Sequence, residues 1–197
     1  CTHCAGIQWC LSGRQWGQGM QRRSLILGVA AGGLAGVAGG VWWWRGPGVS
    51  ATVDAAGLRA VLAQLRAQRW EAMQGWPPAQ VFNHCAQSIE YSLAGYPQLK
   101  PAWFRASAGP AALALFQARG AMQHALDEAI PGAAPLAEPA AADAALDRLE
   151  VAFERFLHHT GPLAEHFAYG TLDHRQYTAA HILHVYNHLQ WLRPAQG

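Results

Sequence analysis

The sequence predicts an all-α chain, with four principal helices behind an N-terminal apolar leader. Three observations carry that expectation. Long stretches place apolar residues at helical spacings, clusters of Gly and Pro separate those stretches, and none alternates apolar with polar as a half-buried strand does. With 197 residues, 51% hydrophobic and 13% charged, the chain is long and apolar enough for one domain with appendages.

Residues 1–19 show no apolar periodicity and read as a non-native upstream extension, with Met20 as the true start. Residues 20–45 follow the layout of an export signal: Arg22 and Arg23, an apolar Gly/Ala/Val run, then Trp42, Trp43, Trp44 and Arg45. The Arg pair before Ser-Leu-Ile-Leu resembles a twin-arginine signal, with Gln21 where Ser or Thr is more usual. Without a clear cleavage site, the apolar residues 24–44 serve either as a signal or as a membrane anchor. The chain is therefore expected to be exported, either periplasmic or anchored to the cytoplasmic membrane. Residues 46–53 form a linker rich in Gly, Pro and Ser.

From residue 45 onward eleven basic residues face twelve acidic ones, so no basic surface for nucleic acid is expected. Three of the four cysteines lie at positions 1, 4 and 10, which leaves Cys85 alone in the domain. A disulfide framework is thereby excluded, and Cys85 reads as a small buried hydrophobe.

The domain is expected over residues 54–193. Its first helix spans Asp54 to Met73, with Leu58, Val61, Leu62, Leu65 and Trp70 on its apolar face. Gly75-Trp-Pro-Pro ends it. A second helix then runs from Ala79 through Leu93, with Gly95 as its stop. A shorter apolar helix over 111–129 is interrupted by Gly120, and a Pro-rich loop follows from Ile130. The third long helix covers 140–160 and stops at Gly161-Pro162. Asp173 is suited to cap the last helix, which ends at Pro194.

That last helix carries His181, His184 and His188. Residues four apart on a helix lie on one face, so His184 and His188 can direct two imidazoles at one ion. Two such rings also occur simply as exposed residues of an amphipathic helix. A site needs a third ligand, and His84 on the second helix is the best candidate. Facing helices of a four-helix bundle are a common place for such a set.

Two segments make the pattern specific: Gln80-Val-Phe-Asn-His-Cys-Ala-Gln-Ser-Ile-Glu-Tyr-Ser-Leu-Ala-Gly-Tyr-Pro, and Tyr169-Gly-Thr-Leu-Asp with His184-Val-Tyr-Asn-His-Leu-Gln. Together with Ile130-Pro-Gly-Ala-Ala-Pro they resemble an uncharacterised bacterial family within the DinB/YfiT-like metal-binding superfamily. The resemblance covers about 54–193 and implies a DinB-like four-helix bundle. It also implies His84, His184 and His188 as ligands of a divalent ion: zinc, nickel or iron. Asn187 departs from the His-His that related sequences often carry before the last ligand.

Gln87, His181 and Gln190 are candidates to orient a ligand or a metal-bound water, or else are ordinary polar residues at a helix seam. His158-His159 suits a helix C-terminus. His124 and His174 are expected to face solvent, and His166 to lie in a connection over one end of the domain. Glu90 is the nearest acid to the triad in sequence.

The resemblance implies a metal-dependent thiol transferase or isomerase acting on a small thiol or another small molecule. A non-catalytic metal-binding or interaction bundle at the cell envelope is the alternative. A second copy of the chain, forming a homodimer, is a further candidate partner.

Overall fold

The computed structural model describes residues 53–136 and 141–196. The expected extension, signal or anchor, and most of the linker lie outside the described residues. Within them the chain is mostly helical: α1 (Ala55–Ala67), α2 (Pro78–Ala94), α3 (Ala102–Arg105), α4 (Ala108–Arg119), α5 (Ala142–Leu157) and α6 (His174–Leu189). Two short strands, β1 (Trp70–Ala72) and β2 (Leu192–Pro194), complete it.

Four long helices share one core. Leu58, Leu62 and Leu65 come from α1, Phe82, Cys85 and Ile89 from α2, Leu149, Phe153 and Phe156 from α5, and Tyr177, Ile182 and Val185 from α6. Each large apolar side chain removed from water contributes roughly 1.5–3 kcal/mol, which is why this shared interior dominates the fold. The α2–α5 pair has a polar seam beside its apolar one, where Arg148 of α5 grips both carboxylate oxygens of Glu90 at 2.6 and 2.9 Å. The same guanidinium donates to Asn83 Oδ1 at 3.0 Å.

The helix ends follow local chemistry. Asp54 Oδ1 accepts from Gly57 N at 2.7 Å and caps α1. Gly95 ends α2, as its sequence suggests, at φ 103°. Asp173 and Gln176 form a reciprocal capping box that starts α6, with the side chain of each accepting the backbone N–H of the other.

Four expectations need correction. The first helix stops at Ala67 rather than Met73, because Trp70–Ala72 is extended and pairs antiparallel with Leu192–Pro194. The last helix accordingly ends at Leu189, and the prediction of no strand fails for these two segments. The helix expected over 111–129 occupies 108–119, since Gly120 takes a left-handed φ of 65° and terminates it. Between α2 and α4 the chain makes the single turn α3.

The ribbon positions the site. Glu71 pairs with Arg193, Nε to Oε1 at 2.8 Å, and Met73 N donates to Trp191 O at 2.8 Å. Gly75 then turns at φ 69°, with Trp191 so close that a Cβ would stand 2.7 Å from its ring. Trp76 is thereby held at the head of α2. On the opposite side Gly109 lets α4 approach the backbone of Ala168, where any Cβ would collide with the carbonyl oxygen. That carbonyl belongs to the connection before α6, which His166 and Gly170 close through paired backbone hydrogen bonds of 2.9 and 3.2 Å.

Candidate metal centre

His84 lies on the second turn of α2, and His184 and His188 occupy successive turns near the end of α6. The packing of those two helices brings the three rings together. His184 Nε2 stands 3.2 Å from His84 Nε2 and 3.0 Å from His188 Nε2. One candidate ligand nitrogen from each ring lies within 4.8 Å of the other two. The three histidines could therefore bind a metal ion together.

Proton counting separates a shared ion from a hydrogen-bonded cluster. An imidazole nitrogen carries either one proton or one lone pair in the ring plane. His184 Nε2 can thus make an ordinary hydrogen bond to only one of its two neighbours. The other contact sets like against like, unless a cation stands between the lone pairs. Nitrogens that each lie about 2.0–2.1 Å from zinc are about 3.0 Å apart at right angles and about 3.4 Å apart at the tetrahedral angle. The two separations at His184 fall in that range, so the residues fit a divalent ion.

The electrostatics agree. Burial, then the neighbouring His124, lowers His84 to about 4. Burial, followed by His84 and His124, lowers His188 to about 2. Burial and then its imidazole neighbours hold His184 well below the usual value. All three rings are neutral at pH 7, the form a metal requires, so binding displaces no proton from them. Their Nδ1 atoms are treated less generously: His84 Nδ1 and His188 Nδ1 are buried with no protein partner. Trp76 packs beside these two rings, edge-on to His84 at 5.0 Å and parallel to His188 at 6.3 Å between ring centroids.

The site opens onto a cleft of about 230 Å³ lined by His84, His124, His166, His181 and His184. That is smaller than the roughly 300–1,000 Å³ of typical ligand sites, so it suits a small molecule. His166 Nδ1 accepts from the backbone N–H of Ala168 and of Tyr169, both at 3.1 Å, which leaves the ring proton on Nε2. Ser92 Oγ donates to Ile89 O at 2.6 Å and so meets His181 Nε2, 3.1 Å away, as an acceptor. His181 therefore carries its proton on Nε2 and its lone pair on Nδ1. Burial lowers both His166 and His181 to about 3.

The remaining sequence candidates are distributed as follows. Gln87 is buried and donates to Ala134 O at 3.4 Å, tying α2 to the loop that follows α4. Gln190 is exposed at the C-terminal cap of α6. Glu90 is engaged by Arg148 rather than free near the triad. Cys85 is buried, and burial pushes its thiol up, as befits a packing residue. His174 packs against Phe156 at 4.6 Å and meets Phe156 O at 3.1 Å, which corrects its expected solvent-facing placement. His124 is exposed, as expected, but its ring lies 5.1 Å from those of both His184 and His188. The sequence put His124 on the helix expected over 111–129, whereas it stands on the loop after Gly120, which hid that proximity. Trp76 was equally hidden, since Gly75-Trp-Pro-Pro signals only a helix break.

No curated protein and no solved structure matches the chain. Residues 53–195, which include every described helix and both strands, match the family described as Protein of unknown function (DUF1569), and the chain belongs to that family.

Proposed function

We propose that this is a metal-dependent protein of DinB-like four-helix architecture, in which His84, His184 and His188 ligate zinc, nickel or iron. The convergence of three neutral Nε2 atoms, at 3.0 and 3.2 Å around His184, carries the reading. The ligand set faces a cleft sized for a small molecule, and a low-molecular-weight thiol is the substrate class, in a transferase or isomerase reaction. A divalent cation bound there would supply Lewis acidity, stabilising a coordinated thiolate at neutral pH. The chain's own residues set the surroundings. Trp76 packs beside the His84 and His188 rings, His166 offers an Nε2–H donor in the cleft wall, and His181 offers an Nδ1 acceptor.

One observation favours the non-catalytic alternative, a metal-binding or interaction bundle at the cell envelope. The Arg148 fork occupies Glu90, which removes the acid nearest the triad in sequence as a free proton acceptor. A thiol substrate lessens that difficulty, because coordination itself favours the thiolate.

Metal analysis of the full chain, expressed without a histidine tag, beside the His184→Ala/His188→Ala double variant tests the centre. About one ion per chain, lost in the variant while helical circular dichroism persists, is expected. Turnover of a small thiol that depends on the ion separates enzyme from binding protein. Ion without turnover across a panel of thiols favours the alternative.

Export or anchoring through residues 24–44 belongs to the same proposal, supported by Arg22, Arg23 and the apolar run after them. Among the described residues no helix is long and apolar enough to cross a membrane. A reporter fused after residue 50 is expected outside the cytoplasm, and to remain inside when both arginines become lysine.

A further inference from the structure

Resting on the three-histidine reading above, we infer that His124 is a fourth, exchangeable ligand, delivered from the loop after α4. Its ring is as far from the His184 ring as the His84 ring is, 5.1 Å in each case. It stands at the same 5.1 Å from His188. His124 Nδ1 donates to the carbonyl of Ala125 at 2.6 Å, which puts the lone pair on Nε2. An imidazole whose Nδ1–H is held by a backbone carbonyl is oriented to ligate through Nε2.

The loop holds this ring in place from both sides. Met122 and Leu126 flank His124 at two residues' distance and are buried, with 4% and 6% of their surfaces exposed, whereas His124 between them is exposed. The Tyr169 hydroxyl lies 4.0 Å from Met122 Sδ and ties the loop to the connection before α6. His124 also lines the cleft beside His84 and His184. It remains outside the close-set group of three, so a short movement of the side chain completes the set.

The three helical histidines are fixed by packing, whereas His124 is exposed and bound through its own neighbour's carbonyl. It is therefore the ligand that an incoming small molecule displaces, closing the centre at rest and opening it on demand. No bond to carbon is made or broken in this exchange. The leaving imidazole carries its lone pair away, and the incoming donor supplies one.

The test is zinc binding by the full chain, read by X-ray absorption and by competition with a chelator. Wild type is expected to show four imidazole nitrogens. His124→Ala and His124→Gln are expected to show three with a lighter oxygen donor. They should also bind zinc more weakly by at least the roughly tenfold that loss of a ligand-orienting group costs. Free imidazole should restore the four-nitrogen spectrum in His124→Ala, which no merely structural role predicts. Equal affinity and an unchanged spectrum in both variants overturn the fourth ligand while leaving the triad standing. Absence of zinc from the wild type overturns both readings.

Discussion

Two groups of histidines, each anchored on α6 and completed from another element, are held neutral by desolvation, yet they are built to different rules. Towards the helix C-terminus, His184 and His188 turn Nε2 to Nε2 with His84, and two of the three rings leave Nδ1 without a protein partner. One turn earlier, His181 gives its proton to Ser92, whose own hydroxyl proton goes to Ile89 O. His166, across the cleft, has its Nδ1 filled by two backbone N–H groups. Burial is common to both groups and so says nothing about metal. Proton accounting distinguishes them: in the second group one nitrogen of each ring meets a protein atom that fixes its tautomer, whereas in the first His184 Nε2 meets two imidazole nitrogens and can bond ordinarily to only one of them.

The largest expected effect breaks the two groups apart. Zinc at about a hundred times its dissociation constant should stabilise the wild-type chain by about 2.7 kcal/mol, since only the folded state presents the site. His84→Ala should abolish that increment. His181→Ala should keep it, although it lowers baseline stability by about 3 kcal/mol through the cavity and the lost hydrogen bond. Thermal melts of the three chains with and without zinc read both quantities. Loss of the zinc response in His181→Ala would remove the distinction.

An intermediate effect concerns acid. His166 and His181 are lowered from 6.5 to about 3 in the folded chain, chiefly by burial, and return to 6.5 when it unfolds. Between those values the unfolded state binds more protons, so stability is full above about pH 6.5 and falls with falling pH until about pH 3. Each ring contributes a slope of up to about 1.4 kcal/mol per pH unit. Urea melts at pH 7.5, 6 and 5 should show this decline, and His166→Phe should reduce its slope. A flat profile is incompatible with two buried neutral rings.

The sequence made the first group partly legible because its spacing is helical. His184 and His188 are four apart on a helix whose start was readable from Asp173. His84 belongs to a helix whose stop was readable from Gly95. Apart from the His84 pairing, which the family resemblance implied, meetings between distant segments were not legible. A three-residue strand has no measurable period, so the pairing of Glu71 with Arg193 across most of the domain left no local trace. Pairing of Arg148 with Glu90 depends on helix register, and the position of His124 depends on the loop's buried Met122 and Leu126. His166 owes its tautomer to backbone N–H groups, which no residue pattern records.

The smallest expected effect sharpens the same contrast through two glutamines that sequence spacing treats alike. Gln190 lies two residues beyond His188, but it sits exposed at the helix cap. Its replacement by alanine should change stability by no more than about 0.5 kcal/mol, as for surface sites generally, and leave zinc affinity unchanged. Gln87 is buried, and its amide reaches Ala134 O in the segment that follows the His124 loop. Gln87→Ala should therefore cost about 1 kcal/mol, the value of one hydrogen bond. Its effect on zinc should follow from loosening the chain on which His124 is carried. If His124 is a ligand, Gln87→Ala weakens zinc binding in the wild-type background and has no further effect once His124 is alanine. Additive losses in that double-variant cycle would mean that Gln87 acts on the site by a route independent of His124.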